Sequence, residues 1–139
     1  MLILIVEDDP LIALDLETIL IDAGHLVHGP VSSFERAIRL MERPVTPDLA
    51  LVDINLIGRG TGIDVARELR ARWRVHSMFV TAQEREARAH QDVALGYIRK
   101  PFTSSIILAG VRLAQKLSQG QQILPAWIPP QMEMFRFQL

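Results

Sequence analysis

Leu49-Ala50-Leu51-Val52-Asp53-Ile54-Asn55 is an apolar run that is broken by a single carboxylate, that of Asp53. A continuous apolar run that includes a β-branched residue is typical of a strand buried in a parallel sheet. Open α/β sheets bind their ligands at the carboxyl ends of the strands. Asp53 is therefore the first candidate for chemistry, and the question is which other side chains reach it.

Five predicted strands alternate with five predicted helices along the chain. The strands cover residues 2–6, 26–31, 49–53, 77–81 and 96–100, and the helices run to about residues 22, 42, 72, 92 and 117. Asp9-Pro10 reads as the N-cap and first position of the first helix. Ser33 is suited to cap the second helix, Thr61 or Gly62 to open the third, and Thr103 or Ser104 to cap the last. This alternation predicts a parallel sheet with helices on both faces and right-handed crossovers.

The composition is that of one soluble globular domain and excludes several classes of site. Of the 139 residues, 49% are hydrophobic and 22% charged, and the formal net charge is −1, which favours neither nucleic acid nor an anionic membrane as partner. The absence of cysteine excludes disulfides, thiolate metal sites and a cysteine nucleophile. No apolar run approaches the roughly 20 residues that span a bilayer, and no basic signal region precedes residues 2–6. We therefore expect a cytoplasmic protein.

Charged and polar side chains follow four of the predicted strands. Glu7 and Asp8 follow the first strand, Asp53 ends the third, and Thr81 and Lys100 end the fourth and fifth. Three carboxylates at one sheet edge repel each other unless a cation neutralises them, and Mg²⁺ prefers such oxygen ligands. Lys100 and Thr81 can both hold phosphoryl oxygens. A carboxylate in this setting can act as nucleophile toward an activated phosphoryl donor.

Four short motifs carry a resemblance to a known family. They are Val6-Glu7-Asp8, Leu51-Val52-Asp53, Val80-Thr81-Ala82 and Tyr97-Ile98-Arg99-Lys100-Pro101-Phe102. Over about residues 1–117 the chain resembles the receiver domains of two-component response regulators. The resemblance implies a doubly wound, flavodoxin-like (βα)5 fold with five parallel strands in the order 2-1-3-4-5. It leaves residues 118–139 as a C-terminal linker and tail of unknown role.

The resemblance also implies a role for each residue at the sheet edge. Asp53 would accept a phosphoryl group from a sensor histidine kinase or a histidine phosphotransfer protein, and Thr81 and Lys100 would hold the phosphoryl oxygens. Mg²⁺ would be bound by Asp8, Asp53 and the backbone carbonyl of Asn55, with Glu7 acting through water. Such a domain is a phosphoacceptor rather than an enzyme, with self-phosphorylation from small donors and slow self-dephosphorylation.

Further expectations follow from the same resemblance. Tyr97 would be the second switch residue and would turn inward as Thr81 moves toward the phosphoryl group. The Lys100–Pro101 peptide would be cis, and Asn55 and Gln83 match positions that tune dephosphorylation. In two places the chain departs from the family: Ile57 stands where the family often has proline, and the glycine that opens the third helix, Gly62, comes one residue late.

Two aliphatic residues, Leu14 and Ile21, fall on the outer face of the first helix. Because this helix docks on the phosphodonor in the resembled family, we expect both to belong to a kinase-docking surface. The alternatives are that the C-terminal tail covers them or that they are simply exposed. Three roles remain open for the tail: packing on the parent domain, bridging a dimer or binding a partner.

The sequence therefore predicts a single-domain response regulator that signals through a phosphorylation-dependent surface. Its output would be contact with a downstream protein, not direct binding of nucleic acid or a membrane, and the apolar residues Ile106, Leu113 and Leu117 permit a homodimer. The alternative is a receiver-like adaptor that works without phosphorylation. A phosphohydrolase is disfavoured by Asn55, where a second aspartate would be needed, and a flavodoxin-like redox protein by carboxylates where a phosphate loop would lie.

Overall fold

The computed structural model describes residues 1–135, and all structural statements below refer to these residues. The strands are β1 (Leu2–Val6), β2 (Leu26–Val31), β3 (Leu49–Val52), β4 (Ser77–Thr81), β5 (Gly96–Arg99) and β6 (Met132–Met134). The helices are α1 (Pro10–Asp22), α2 (Phe34–Met41), α3 (Gly62–Trp73), α4 (Glu84–Ala89) and α5 (Ser104–Ser118), with a 3-10 turn at Pro125–Trp127.

The described strands form one six-stranded sheet in the order β2-β1-β3-β4-β5-β6. The first five are parallel in the predicted order 2-1-3-4-5. The prediction of a five-stranded sheet was wrong in one respect, because β6 pairs antiparallel with β5, with Gly96 opposite Met134 and Ile98 opposite Met132. A segment of only three residues in a proline-rich tail is too short for its apolar–polar alternation to predict a strand, so its pairing with a distant edge strand is not visible locally.

The helices lie in two layers, and successive strand residues point alternately into them. Ile3 and Ile5 of β1 belong to a cluster with the inner faces of α1 and α5, whereas Leu4 and Val6 belong to a cluster with α2, α3 and α4. All four side chains are fully buried. Because both faces of the sheet are covered, its strands are apolar throughout, as the sequence predicted.

The tail changes how the fifth helix is covered. Ile106 and Leu113, two of the apolar residues that would permit a homodimer, are only 9% and 4% exposed. Both belong to the cluster that includes Met132 of β6, with Ile123 and Ile128 of the tail packed against it. These residues are therefore covered within one chain, which removes them as support for a homodimer.

The helix boundaries follow the predicted caps with one exception. The Asp9 side chain accepts from the backbone of Leu11 and Ile12, and Thr61 and Asp64 form a complete capping box at the start of α3. Helix α4 was expected to reach about residue 92 but ends at Ala89, since Ala87 is its single buried residue and little packing holds a further turn. Among the described residues, no helix is long and apolar enough to cross a membrane.

Candidate functional site

The carboxyl ends of four strands bring the predicted site residues to one edge of the sheet. Glu7 and Asp8 directly follow β1, Asp53 directly follows β3, Thr81 is the last residue of β4, and Lys100 directly follows β5. Glu7, Asp8 and Asp53 each present a carboxylate oxygen, and the three oxygens lie within 4.8 Å of one another. The parallel strands thus assemble an acidic cluster from residues that are up to 46 positions apart in the chain.

Lys100 lies between two of these carboxylates. Its Nζ donates to Glu7 Oε1 at 2.6 Å and to Asp53 Oδ2 at 3.1 Å. The Glu7 side chain is 1% exposed, and burial raises its pKa to about 7, with the negative charge of Asp53 acting in the same direction and the Lys100 hydrogen bond against it. Burial lowers the pKa of Lys100, but the hydrogen bond to Glu7 and the charge of Asp53 outweigh it, so that pKa is raised overall. The ammonium therefore remains charged and offsets part of the repulsion in the cluster.

Three other polar residues from this part of the chain differ in their exposure. Thr81 is fully buried, and its Oγ1 accepts a hydrogen bond from the backbone N–H of Gln83 at 3.0 Å. Asn55 and Gln83, the positions expected to tune dephosphorylation, are both exposed. The hydroxyl of Thr81 is thus turned toward the start of α4, while the amide side chains face solvent.

The loop after Asp53 returns to the strand through Gly62. The Gly62 N–H donates to the Ile54 carbonyl at 2.8 Å, and a Cβ at position 62 would overlap the carbonyl oxygen of Asp53. Glycine at position 62, one residue later than in the family, is therefore required by the packing of this loop. Ile57 lies in the same loop, is 64% exposed and borders an open cleft of about 490 Å³.

A family model described as the response regulator receiver domain matches residues 3–112. The chain belongs to the response regulator receiver family. Three curated relatives are similar to this receiver domain: the phyllosphere-induced regulator PhyR of Methylorubrum extorquens (34% identical), the transcriptional regulatory protein PdtaR of Mycobacterium tuberculosis (31%) and the DNA-binding response regulator MtrA of Mycolicibacterium smegmatis (37%). The alignments cover 85%, 81% and 86% of this chain, and 45%, 55% and 52% of those proteins, respectively. The chain thus spans about half the length of the curated relatives it matches.

Solved structures of receiver domains have the same fold. The receiver domain of a modulated diguanylate cyclase from Desulfovibrio desulfuricans is 31% identical, with a TM-score of 0.77 over 86% of this chain and 98% of that one. PhyR from Brucella abortus is 27% identical, with a TM-score of 0.75 over 86% of this chain and 49% of that one. Receiver domains are phosphoacceptor signalling modules, which is the class of protein indicated by the acidic edge.

Tyr97 of this receiver domain is buried by contacts that its sequence did not indicate. Its ring is 4% exposed and its centroid lies 6.0 Å from that of Phe135 in the tail. The Tyr97 hydroxyl accepts from Arg88 Nη2 at 3.0 Å, and Arg88 Nε donates to Glu133 Oε2 at 2.7 Å. Burial is the largest cause of the raised pKa of Tyr97, followed by the charge of Glu84. The Met-Glu-Met-Phe alternation at residues 132–135 is the one sequence signal that could have indicated a strand here.

Two X-Pro bonds in the described chain are cis. Lys100–Pro101 is cis, as expected, and Gly29–Pro30 is cis in addition. The second lies where the pairing of β1 with β2 shifts register between Leu4 and Val6. No motif in the sequence indicated it.

Leu14 and Ile21 are exposed, at 57% and 53%. The described part of the tail, residues 118–135, leaves both side chains exposed, and its strand β6 lies at the opposite edge of the sheet from β2. Leu14 lines the cleft that also includes Glu7, Asp8 and Ile57. The structure thus brings Leu14 together with the acidic site, and leaves Ile21 outside the residues that line this cleft.

Proposed function

We propose that this protein accepts a phosphoryl group on Asp53 from a phosphohistidine and signals through a surface built on β5. The observation that supports this best is the position of Lys100, whose ammonium joins Asp53 to Glu7 beside the carboxylate of Asp8. A cation held this close to one oxygen of a nucleophilic carboxylate leaves the other oxygen to attack. It also provides a partner for the charge that develops on the phosphoryl group.

The donor set fits a hard divalent cation. The cluster has three carboxylate oxygens within 4.8 Å of one another, and one of them belongs to a nearly fully buried glutamate. Their negative charge exceeds the single positive charge of Lys100, which favours a further cation. We assign Asp8, Asp53 and the backbone carbonyl of Asn55 as direct ligands of Mg²⁺, with Glu7 acting through water. When bound, Mg²⁺ would neutralise phosphoryl oxygens during transfer.

The transfer itself needs one nucleophile and no protein acid. An Asp53 carboxylate oxygen attacks phosphorus, and the new P–O bond forms as the P–N bond to the donor imidazole breaks. The donor ring carries a proton on its other nitrogen, so it leaves with the electron pair of the P–N bond as neutral imidazole. Lys100 holds one phosphoryl oxygen. Thr81 holds a second phosphoryl oxygen once its hydroxyl no longer accepts the hydrogen bond from the Gln83 N–H. Phosphorylation would therefore act on the start of α4.

Asn55 and Gln83 would set the lifetime of the phosphorylated state. Both are exposed, and their amide groups would orient or exclude the water that hydrolyses an acyl phosphate. Slow self-dephosphorylation is therefore part of the proposal. Tyr97, already buried in this structure, would take part in the switch through the hydrogen bond it accepts from Arg88.

The partners of this function are proteins. A sensor histidine kinase or histidine phosphotransfer protein in the cytoplasm would present its phosphohistidine over the cleft, with Leu14 and Ile21 on the docking surface. Downstream contact would be with a protein. PhyR of Bartonella quintana is an anti-anti-sigma factor, which gives an example of protein output on a related receiver.

Beryllofluoride, which forms an acyl-phosphate mimic on aspartate, tests the proposal without a kinase. Fluorine NMR should show a bound signal that requires Mg²⁺ and is lost in Asp53→Asn. Asp22→Asn, the same change on the exposed last residue of α1, is the matched control and should bind normally. Absence of a bound signal in the wild type would favour the adaptor that works without phosphorylation.

A further inference from the structure

The C-terminal tail occupies the one edge of the sheet that adjoins the proposed switch. We propose that β6 is a releasable latch in a strand-binding groove along β5, and that phosphorylation of Asp53 releases it. The groove has β5 as its floor and is flanked by α4 and α5. The inference rests on the proposed function, because the release is driven from the phosphorylated aspartate.

Two glycines shape the groove to fit the tail. A Cβ on Gly96 of β5 would overlap the carbonyl oxygen of Glu133, so its absence allows the backbone of β6 to approach. A Cβ on Gly110 of α5 would lie 2.7 Å from Ile98 Cδ1 and 3.1 Å from Met132 Cε, so the missing side chain makes room for Met132. The groove is thus formed for an extended strand with an apolar side chain toward α5.

The tail fills this groove with a pattern that matches its walls. Met132 and Phe135 are each 6% exposed, Met132 toward α5 and Phe135 toward Tyr97. Glu133, between them, pairs with Arg88 of α4. The Arg99 N–H donates to the Gln131 carbonyl at 2.9 Å and the Phe135 N–H donates to the Leu95 carbonyl at 2.8 Å.

Helix α4 connects the latch to the phosphorylation site. Its N-terminal end is hydrogen-bonded to Thr81, because the Gln83 N–H at the N-cap donates to the Thr81 hydroxyl. Its last turn carries Arg88, which holds both Glu133 and the Tyr97 hydroxyl. The helix is six residues long, has no side-chain N-cap hydrogen bond and buries Ala87 alone, so it shifts at low cost.

The direction of the coupling follows from these contacts. In this proposal the Thr81 side chain turns to donate its hydroxyl hydrogen to a phosphoryl oxygen and gives up the hydrogen bond it accepts from the Gln83 N–H. This frees the start of α4 and moves Arg88 away from its two partners. Loss of the Arg88 ion pair loosens β6. Because coupling between two sites is reciprocal, the docked tail opposes phosphorylation to the same extent. A released β6 exposes the backbone edge of β5, to which an extended segment of a partner can pair.

The test is hydrogen exchange on the full chain, with and without Mg²⁺ and beryllofluoride. The reporter amides are those of Phe135 and Arg99, which bond across β5 and β6. The internal control is the Ala50 amide, which bonds to the His76 carbonyl between β3 and β4. We expect beryllofluoride to speed exchange of the reporter amides about tenfold and to leave Ala50 unchanged.

Two variants separate the latch from the phosphorylation chemistry. Glu133→Gln should speed exchange at Phe135 about two- to fivefold without beryllofluoride and tighten beryllofluoride binding by the same factor. Gly96→Ala should also speed exchange at Phe135 and tighten beryllofluoride binding, each by a larger factor than Glu133→Gln. Glu68→Gln is the matched control, since Glu68 pairs with Arg72 on the surface of α3, away from the groove, and should change neither quantity.

The outcomes are distinguishable. Binding of beryllofluoride with unchanged or slower exchange at Phe135 and Arg99 would overturn the latch while the phosphoacceptor function stands. Unchanged beryllofluoride affinity in Glu133→Gln would overturn the coupling. A wild type that does not bind beryllofluoride would overturn the proposed function and the release together.

Discussion

Gly62 lies directly against the main chain of Asp53, so that a Cβ at position 62 would overlap the Asp53 carbonyl oxygen. The start of α3 is thereby fixed relative to the proposed phosphoacceptor. The capping box of Thr61 and Asp64 holds the same turn from the other side. The backbone at Asp53 therefore depends on Gly62, which contributes no polar side chain to the site.

Gly62→Ala should destabilise the protein by about 1–3 kcal/mol, because the atom that would have to move is backbone rather than a flexible side chain. Urea denaturation followed by circular dichroism measures this loss. Beryllofluoride binding should weaken in the same variant, since the Asp53 backbone shifts. Wild-type stability and binding in Gly62→Ala would contradict the packing of this loop.

Lys100→Met should lower the free energy of unfolding of the metal-free protein by about 1–3 kcal/mol at pH 8, because the buried Glu7 and Asp53 lose their cation. Mg²⁺ should restore more stability to this variant than to the wild type. Denaturant titrations with EDTA and with Mg²⁺ make the comparison. Lys116→Met, at the other lysine of the chain, is the control and should respond to Mg²⁺ as the wild type does.

His76 should make the protein less stable in acid. Burial and then the charge of Arg70 hold its pKa below the usual value, so the folded state favours the neutral ring. The stabilisation is present above the unfolded-state pKa of about 6.5 and is lost as pH falls through the lower folded-state pKa. His76→Gln should therefore narrow the difference in unfolding free energy between pH 7.5 and pH 5. An equal or larger difference in the variant would contradict this.

Leu14→Asp should slow phosphotransfer from a histidine phosphotransfer protein or cognate kinase and leave beryllofluoride binding unchanged, because Leu14 is exposed beside the acidic site but makes no part of it. Leu26→Asp is the matched control, at the start of β2 and 69% exposed. The Leu26→Asp variant should accept the phosphoryl group at the wild-type rate. Equal slowing by both substitutions would rule out a docking role for Leu14.

Much of the fold was predictable because its signals are local. The apolar runs at residues 2–6 and 49–52 are buried strands, and the caps Asp9, Ser33 and Thr61 begin helices as expected. The site residues were found for the same reason, since parallel strands place residues that follow each strand at one edge. Asp53 and Lys100, 47 residues apart, meet without any sequence signal beyond their place after a strand.

The parts that escaped prediction depend on contacts between distant segments. Glu133 meets Arg88 across 45 residues, and neither is distinctive within its own segment. The burial of Ile106 could not be predicted without knowing that the tail returns to α5. Likewise, nothing in the sequence near Gly62 shows that its missing side chain is needed by the Asp53 backbone.

Phosphorylation of Asp53 is measured most directly by the intact mass of the protein after incubation with acetyl phosphate, followed by peptide mapping. We expect one added phosphoryl group per chain, located on Asp53, formed with Mg²⁺, absent with EDTA and absent in Asp53→Asn. A phosphoryl group on another residue, or none on the wild type in Mg²⁺, would show that Asp53 is not the phosphoacceptor.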